Sequence, residues 1–173
     1  MRYLGGKSKI AKQLAARILA LTPSRARLIE PFIGGAGMTS ELAPHFGEVN
    51  ASDAHEDLVL MWQALLNGWE PPTSITENEY KALKLSDPSA LRGFAGFGVS
   101  WGGKWFGGYA RGRGANYAGE SARSVVKQRA RMSNVTVRHC TFNEVSVESG
   151  DVVYCDPPYA HKTGYGSACC SVE

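Results

Sequence analysis

The segment with the clearest potential for chemistry is Asp156-Pro157-Pro158-Tyr159, which directly follows an apolar run at residues 152–155. Proline has no N–H to donate, so the carbonyl groups of this segment remain available as acceptors. An aspartate, a rigid carbonyl and an aromatic ring suit an exocyclic amine on a flat base, because two acceptors localise the nitrogen lone pair while Tyr159 stacks on the ring. Transfer of a methyl group from a sulfonium then requires close in-line alignment. The alternative is a turn after a strand with an incidental acid.

A second candidate site is Glu30-Pro31-Phe32-Ile33-Gly34-Gly35-Ala36-Gly37, which links a predicted strand to a predicted helix. Glycines let the backbone pass close to a ligand at the carboxyl edge of a sheet, where nucleotide-type cofactors bind. The segment is not the dinucleotide-binding fingerprint, since Ser40 stands where the last glycine of GxGxxG would be. A tight strand-to-helix turn is the alternative.

Two charged residues extend this candidate cofactor site. Asp53 ends the next predicted strand, where an acid can accept hydrogen bonds from ribose hydroxyls, and it could also or alternatively cap the following helix. Lys7 follows two glycines and could contact the carboxylate of a small ligand, the alternative being a solvated lysine. A P-loop is excluded, because Met1 stands where the motif requires its first glycine.

Positive charge is concentrated between Arg92 and Arg138, where Glu120 is the only acid. The basic residues are interleaved with aromatic ones, a combination typical of surfaces that contact phosphates and stack on bases. Part of this charge could instead be the solvated face of a helix at residues 120–132. The candidate contacts to nucleic acid are Arg92, Lys104, Arg111, Arg113, Arg123 and Lys127.

The composition limits the class of protein. A chain of 173 residues is long enough for one domain with a hydrophobic core, and its net charge of +3 does not by itself indicate nucleic acid. The four cysteines form no CxxC pair and no metal-ligand spacing with histidines, which predicts reduced thiols and no metal site. The absence of a signal peptide and of a spanning apolar stretch predicts a soluble, intracellular protein.

Strands alternate with helices along most of the chain, which predicts an α/β fold with a parallel sheet. Residues 93–119, rich in glycine, aromatic residues and arginine, break this rhythm and are interpreted as an inserted lobe. Ser8 is the expected N-cap of the first helix. The predicted strands are residues 27–30, 47–52, 135–139 and 151–155, and the predicted helices are residues 8–21, 37–43, 55–67 and 77–85.

Taken together, these motifs resemble the Dam-like, or D12, class of N6-adenine DNA methyltransferases, from residue 1 to about residue 166. The motifs occur in the family's order, beginning with Tyr3-Leu4-Gly5-Gly6-Lys7. The resemblance implies a Rossmann-like S-adenosylmethionine-dependent methyltransferase sheet with an inserted DNA-recognition lobe. Residues 1–75 and 134–173 would form the cofactor-binding catalytic core, and residues 76–133 the target-recognition lobe.

The resemblance also implies roles for individual residues. Asp156 would serve both the cofactor pocket and the target amine. The substrate would be an adenine flipped out of double-stranded DNA, because the amine otherwise lies inside the duplex. Family members use no metal, and the setting would be the cytoplasm of a bacterium or of a phage-infected cell. The residues expected to bind S-adenosylmethionine are Tyr3, Lys7, Glu30, Phe32, Gly34, Gly35, Asp53 and Asp156.

Family members continue with several more strands after the Asp-Pro-Pro-Tyr motif, whereas fourteen residues follow Tyr159 here. The sequence therefore predicts a partial sheet whose fourth strand is an uncovered edge, open to self-association or to a complementing C-terminal fragment. Two functions stay open: an active, site-specific adenine methyltransferase, and a truncated remnant or half of a split methyltransferase that binds S-adenosylmethionine or DNA with impaired turnover.

Methylation of another planar amine or amide is a third hypothesis. Enzymes acting on cytosine tend to carry serine, and those acting on protein glutamine asparagine, at the position of Asp156. The aspartate therefore favours adenine, and the basic aromatic segment favours DNA over protein. The motifs leave open the target sequence and the biological role, whether restriction–modification, protection from restriction or regulation.

Overall fold

A parallel four-stranded sheet organises the chain, and a computed structural model describes residues 1–158 of it. Tyr159, Cys169 and Cys170 therefore lie outside the described residues. The strand order is β3-β2-β1-β4, with all pairings parallel. The strands are β1 Arg27–Glu30, β2 Glu48–Asp53, β3 Val135–His139 and β4 Val152–Val153. The helices are α1 Ala11–Leu21, α2 Gly37–Leu42, α3 Glu56–Leu66, α4 Glu77–Lys84, α5 Ala90–Gly98 and α6 Tyr117–Arg129.

Helices cover both faces of the sheet, which is the Rossmann-like arrangement and confirms the predicted fold class. On one face α1 and α2 pack on the sheet around Leu28, Leu42 and Val49. On the other face α3, α5 and α6 share a second cluster that includes Trp62 and Phe94. Because β1 is covered on both faces, its last three residues are all buried, as expected for a central parallel strand.

The register brings the candidate site to one edge of the sheet. Glu30 ends β1 opposite Ala51, and Asp53 ends β2 opposite His139. Beyond β4 the backbone continues the pairing, since the Tyr154 N–H donates to the Ile29 carbonyl over 2.9 Å. The carboxyl ends of parallel strands meet at the same edge, so the segment after β4 also arrives beside Glu30.

Most of the predicted elements are confirmed to within three residues, and four expectations need correction. Helix α1 begins at Ala11, and Ser8 does not cap it, because residues 7–10 form a separate turn closed by the Ile10 N–H and the Lys7 carbonyl. Strand β4 has two residues rather than the predicted five. Helix α6 begins at Tyr117 and ends at Arg129, earlier than the predicted 120–132.

The fourth correction concerns residues 93–119, whose composition did not indicate helix α5. Glycine disfavours helices, so Gly93, Gly96 and Gly98 weaken the local helical signal. Packing reverses this preference, because a Cβ added at Gly93 would lie 2.2 Å from the Asp57 carbonyl oxygen of α3. Glycine is therefore what allows α5 to approach α3 so closely.

Residues 76–133 are not set apart from the sheet in space. Helices α5 and α6 contribute Phe97 and Val125 to the same cluster that holds Val137 of β3. The division into a catalytic core and a recognition lobe is a prediction about function. Within the described residues β4 pairs with β1 alone and forms the sheet edge, and the expected self-association or complementation through that edge stays a prediction. None of the described helices is long and apolar enough to cross a membrane.

Candidate active site

Three carboxylates converge at the carboxyl edge of the sheet. Glu30 ends β1, Asp53 ends β2, and Asp156 follows β4. Asp53 and Asp156 both act electrostatically on Glu30. Within the part of the chain that the structure describes, these side chains form no group that could hold a metal ion. Their arrangement suits the contact of a positively charged or hydroxyl-bearing ligand.

The segment from residue 31 to residue 37, here called the glycine loop, is held by hydrogen bonds from several elements. The Trp62 indole N–H donates to the Gly34 carbonyl over 2.9 Å, and the Gln128 side-chain amide donates to the Gly35 carbonyl over 2.8 Å. The Ile33 N–H donates to the Ser52 carbonyl over 2.9 Å. Strand β2 and helices α3 and α6 therefore all fix the course of this loop.

Tyr3 explains why two of the loop positions are glycine. A Cβ added at Gly34 would lie 2.8 Å from Cε1 of Tyr3, and one added at Gly35 would lie 2.8 Å from its Cβ. Gly34 also has a φ of +47°, which residues with a side chain rarely adopt. The close approach that the sequence predicted for a ligand is made here by the Tyr3 side chain, whose ring also packs on Phe97.

Glu30 is buried at 2% relative exposure, in the innermost part of the site. The Thr39 hydroxyl donates to its Oε2 over 2.8 Å. Burial, with a smaller contribution from the negative charges of Asp156 and Asp53, raises the pKa of Glu30 to about 8, against the opposing effect of the Thr39 hydrogen bond. The buried surroundings therefore favour the protonated form of this carboxyl over the ionised form.

Asp53 ties the glycine loop to the start of α3. Its Oδ2 accepts from the Gly34 N–H and its Oδ1 from the His55 N–H, both over 3.0 Å. The N-cap of α3 is His55, so the alternative role of Asp53 as the cap residue is wrong. Burial raises the pKa of Asp53, and the backbone hydrogen bonds oppose that shift. A carboxylate has about four acceptor positions, which leaves capacity for ribose hydroxyls.

Lys7 reaches across the site to Asp156. Its Nζ lies 2.8 Å from Oδ1 and 2.5 Å from Oδ2 of Asp156, and 3.2 Å from the Gly5 carbonyl oxygen. The two side chains are 19% and 23% exposed, so the ion pair lies at the boundary between protein and solvent. The sequence did not predict this contact, because the two residues are 149 positions apart.

The remaining candidates lie around this centre. Pro158 is half-buried and Pro157 exposed, next to Asp156. Phe32 packs its ring 5.8 Å from that of Phe142. Tyr159 completes the motif outside the described residues.

A cleft of about 650 Å³ opens beside Lys7 and extends toward the predicted recognition lobe. Its lining includes Tyr3 and Lys7 from the N-terminal segment, Gly102 from the loop after α5, and Ser121 and Ser124 from α6. The cleft thus joins the Lys7 side of the candidate site to α6 and the loop after α5, and the charged residue that α6 contributes to its lining is Glu120.

Five of the six predicted nucleic-acid contacts are exposed side chains. Arg111 pairs with Glu77 over 2.6 Å at 70% exposure, which is a weak surface contact. Trp101, 62% exposed, adds a large aromatic surface to the same loop region as Lys104. The exposed basic candidates are Lys104, Arg111, Arg113, Arg123 and Lys127.

Arg92 does not fit the expected phosphate contact. Its Nη1 lies 2.6 Å from Oδ2 of Asp57, whose side chain is 5% exposed, and its Nε donates to the Leu83 carbonyl over 3.1 Å. The guanidinium also lies 5.1 Å from the ring centroid of Trp105. The pair therefore joins α3 to α5 within the fold, a role that the sequence analysis missed.

Trp62, Thr39 and Gln128 support the site and were not predicted to do so. Helical periodicity placed Trp62 on the apolar face of α3 but carried no information about its indole N–H. Nothing in the local sequence marks Thr39 or Gln128, since their hydrogen bonds link residues 9 and 93 positions apart.

A parallel sheet with a glycine loop after β1 and an acid at the end of β2 is typical of Rossmann-like folds that bind nucleotide-type cofactors, the class to which many methyltransferases belong. A family model described as D12 class N6 adenine-specific DNA methyltransferase matches residues 3–90, and the chain belongs to this family. No curated protein matches the sequence at a significant level. The family is one of S-adenosylmethionine-dependent enzymes that methylate adenine in DNA, as the resemblance in sequence predicted.

Proposed function

We propose that the chain is a site-specific DNA adenine-N6 methyltransferase that uses S-adenosylmethionine and acts on an adenine flipped out of double-stranded DNA. The observation that carries the proposal is the position of Asp156. In a chain of the D12 class, this residue meets Lys7 at the sheet edge where Glu30 and Asp53 also lie. The cofactor and the target amine would therefore share one carboxyl edge.

The chemistry of the donor set fits the cofactor. Glu30 and Lys7 offer opposite charges to the ammonium and carboxylate groups, and Asp53 retains acceptor positions for the ribose hydroxyls. S-adenosylmethionine, when bound, supplies a methyl group activated by a sulfonium. The side chains and backbone of the glycine loop and the N-terminal segment would complete its site, through Tyr3, Phe32, Gly34 and Gly35.

The target amine would be held by the Asp-Pro-Pro-Tyr motif. Asp156 and the carbonyl of Pro157 accept the two amine hydrogens, which localises the nitrogen lone pair, and Tyr159 stacks on the base. Each carboxylate oxygen has two lone pairs, so the contacts with Lys7 leave room at Asp156 for the amine. Lys7 holds the carboxylate in one orientation while the amine binds.

The DNA would lie along the cleft and the exposed basic side chains. A phosphate backbone attracts such side chains without regard to sequence, and an exposed aromatic ring such as Trp101 can stack on a displaced base. Arg92 is left out of this surface because Asp57 holds it inside the fold. The proposed contacts are Lys104, Arg111, Arg113, Arg123 and Lys127.

A transfer assay tests the proposal. Purified chain is incubated with labelled S-adenosylmethionine and unmethylated double-stranded DNA, and N6-methyladenine is quantified. We expect transfer by the natural sequence and a fall of about a hundredfold to a thousandfold in Asp156→Ala, since the amine loses its charged acceptor. The matched control is Asp87→Ala, an exposed aspartate in the α4–α5 connection, which should keep full activity.

The alternative function predicts a different outcome. If the natural sequence binds S-adenosylmethionine but transfers nothing to DNA, the enzyme proposal is wrong and a binding role without turnover is favoured. If Asp156→Ala retains activity, the role given to this residue is wrong even if the chain is an enzyme.

A further inference from the structure

Strand β4, which leads to the Asp-Pro-Pro-Tyr motif, is very short. It contains two residues, Val152–Val153, which pair in parallel with Leu28 and Ile29 of β1. One further hydrogen bond, from the Tyr154 N–H to the Ile29 carbonyl, follows the strand over 2.9 Å. A slip of one residue would move the chain after β4 by about 3.3 Å and turn its side chains to the other face. So short a pairing leaves the register dependent on the groups that flank it.

An ion pair lies immediately before this pairing. Arg27 and Asp151 directly precede the first pair of β1 and β4, so they occupy the next position of the same register. The Arg27 Nε donates to Oδ1 of Asp151 over 2.8 Å, and its Nη2 donates to Oδ2 over 2.7 Å. Two parallel hydrogen bonds of this kind fix the relative orientation of the two side chains as well as their distance.

The turn that precedes β4 is attached to the same ion pair. Oδ2 of Asp151 also accepts from the Glu148 N–H over 2.7 Å, and the Ser24 hydroxyl donates to the Gly150 carbonyl over 2.9 Å. The side chain of Asp151 is 5% exposed and that of Arg27 24%, so water competes for this pair less than for a surface ion pair. The start of β4 is therefore fixed to the start of β1.

We propose, on the basis of the function proposed above, that Arg27 is a positioning residue for methyl transfer. Through Asp151 it fixes the register of β4 on β1, and this register sets the place of Asp156 relative to Glu30 and the bound cofactor. At the other end of β4, Lys7 orients the Asp156 carboxylate, with its Nζ 2.5 Å from Oδ2. Arg27 lies at the amino end of β1, away from the reacting groups, and acts on them through the strand.

Methyl transfer is sensitive to this register because it requires the amine nitrogen in line with the sulfonium. A misplacement of about 1 Å can reduce the rate by about a hundredfold. In the proposed mechanism Asp156 holds the amine, whereas the glycine loop and Asp53 hold the cofactor from β1 and β2. Loss of the Arg27 contact should therefore lower kcat and change the Kd of S-adenosylmethionine by less than about threefold.

A double-mutant cycle tests whether Arg27 acts through Asp156. Arg27→Gln should lower kcat by about tenfold to a hundredfold in the natural sequence, but by less than about threefold in Asp156→Ala, where the positioned acceptor is absent. Asp151→Asn, which keeps the shape of the partner side chain, should give the same pattern. Rates are measured with saturating DNA and cofactor at a temperature at which circular dichroism shows each variant to be folded. An equal fall in both backgrounds would overturn the inference, as would an unchanged kcat in the natural sequence.

Arg129→Gln is the matched control for charge. The Arg129 side chain is also 24% exposed and pairs with Glu70 over 2.7 Å, so the variant removes the same charge from an equally exposed arginine away from β4. Its kcat should stay within about twofold of that of the natural sequence. A fall equal to that in Arg27→Gln would assign the effect to net charge and overturn the inference. Arg27→Lys keeps the cation but not the two parallel hydrogen bonds, so it should regain only part of kcat.

Amide hydrogen exchange tests the register without the reaction. In Arg27→Gln, protection of the Tyr154 N–H should fall by at least about tenfold, whereas that of the Ile33 N–H, which donates to the Ser52 carbonyl, should fall by less than about threefold. Equal losses at the two amides would show a general loss of stability and contradict the inference.

The outcomes separate this inference from the proposed function. If the natural sequence transfers a methyl group and the double-mutant cycle is additive, the positioning role of Arg27 alone is wrong. If the natural sequence transfers no methyl group to DNA, the proposed function is wrong and the inference is refuted with it.

Discussion

The two halves of the candidate site are built in different ways. In the cofactor half, hydrogen bonds join the glycine loop to β2, α3 and α6, and the Tyr3 side chain packs against two glycines of the loop. In the acceptor half, Asp156 follows a two-residue edge strand and is held by the ion pair with Lys7. The first half is part of the core, whereas the second depends on a pair near the surface.

This difference implies that the cofactor half contributes mainly to stability and the acceptor half mainly to catalysis. Substitutions in the cofactor half should change the free energy of unfolding, because they remove buried contacts. Substitutions in the acceptor half should change the reaction more than the stability, because a part-buried ion pair contributes less to stability than a fully buried core side chain.

The largest effect on stability is expected at Trp62, which is fully buried and donates to the Gly34 carbonyl. Trp62→Ala should lower the free energy of unfolding by about 3–5 kcal/mol, since it leaves a cavity and an unpaired carbonyl. Urea denaturation measures this change. Trp101→Ala is the matched control, because that ring is 62% exposed and its loss should cost no more than about 0.5 kcal/mol. Similar costs for the two variants would contradict the claim that the cofactor half is part of the core.

A pH-dependent effect is expected at Glu30. Its folded-state pKa of about 8 lies above the ordinary 4.5, so the unfolded chain releases this proton first and the carboxyl increasingly destabilises the ligand-free fold as the pH rises from about 4.5 to 8. Glu30→Gln removes the titration but can still accept from Thr39. It should stabilise the ligand-free protein by about 3 kcal/mol at pH 7 and by less than about 1 kcal/mol at pH 5. Denaturation at several pH values measures the trend.

A gain that does not change with pH would show that the effect of Glu30→Gln is unrelated to ionisation. Glu56→Gln provides the comparison, since this exposed carboxyl should give no stability gain between pH 5 and pH 8.

Lys7 tests the acceptor half. Lys7→Gln should lower the free energy of unfolding by about 1–2 kcal/mol, less than Trp62→Ala, because the ion pair is about four-fifths buried on each side and the substitution removes the cation beside Asp156. The rate of methyl transfer should fall by up to about a hundredfold, since Asp156 loses the group that orients it. Lys7→Arg, which keeps a cation, should restore part of kcat. Loss of stability comparable to that of Trp62→Ala would place Lys7 in the core and remove the distinction between the halves.

The sequence predicted those residues of the site that directly follow the end of one strand. Asp53 and the glycine loop each follow a short apolar run, and parallel strands bring such ends to one edge. The pattern of strands in the sequence is enough for this prediction, so the positions of the glycine loop and of the acid at the end of β2 could be predicted without knowledge of any tertiary contact. It also placed Asp156 at this edge, although β4 is shorter than predicted.

The parts that it missed depend on contacts between distant segments. The pairing of Lys7 with Asp156 and that of Arg92 with Asp57 join residues 149 and 35 positions apart. Helix α5 was missed for a related reason, since its glycines are favourable only because α3 packs against them. Local propensity and charge patterns do not contain such tertiary information, so Arg92 appeared to be one more basic residue in a basic segment.

The smallest effect on stability, and the sharpest test of the DNA surface, is expected at Arg123 and Lys127 of α6. Both side chains are exposed, so replacing both with serine should change the free energy of unfolding by no more than about 0.5 kcal/mol each. If each contacts a phosphate, the double variant should reduce the slope of log affinity against log salt by about 2, since each phosphate contact contributes about 0.9. The matched control replaces Lys12 and Arg17 of α1, which are equally exposed but project from the helix on the opposite face of the sheet. An equal loss of slope in the control would mean that net charge, rather than the α6 surface, attracts DNA, and the proposed orientation of the duplex along the cleft would be wrong.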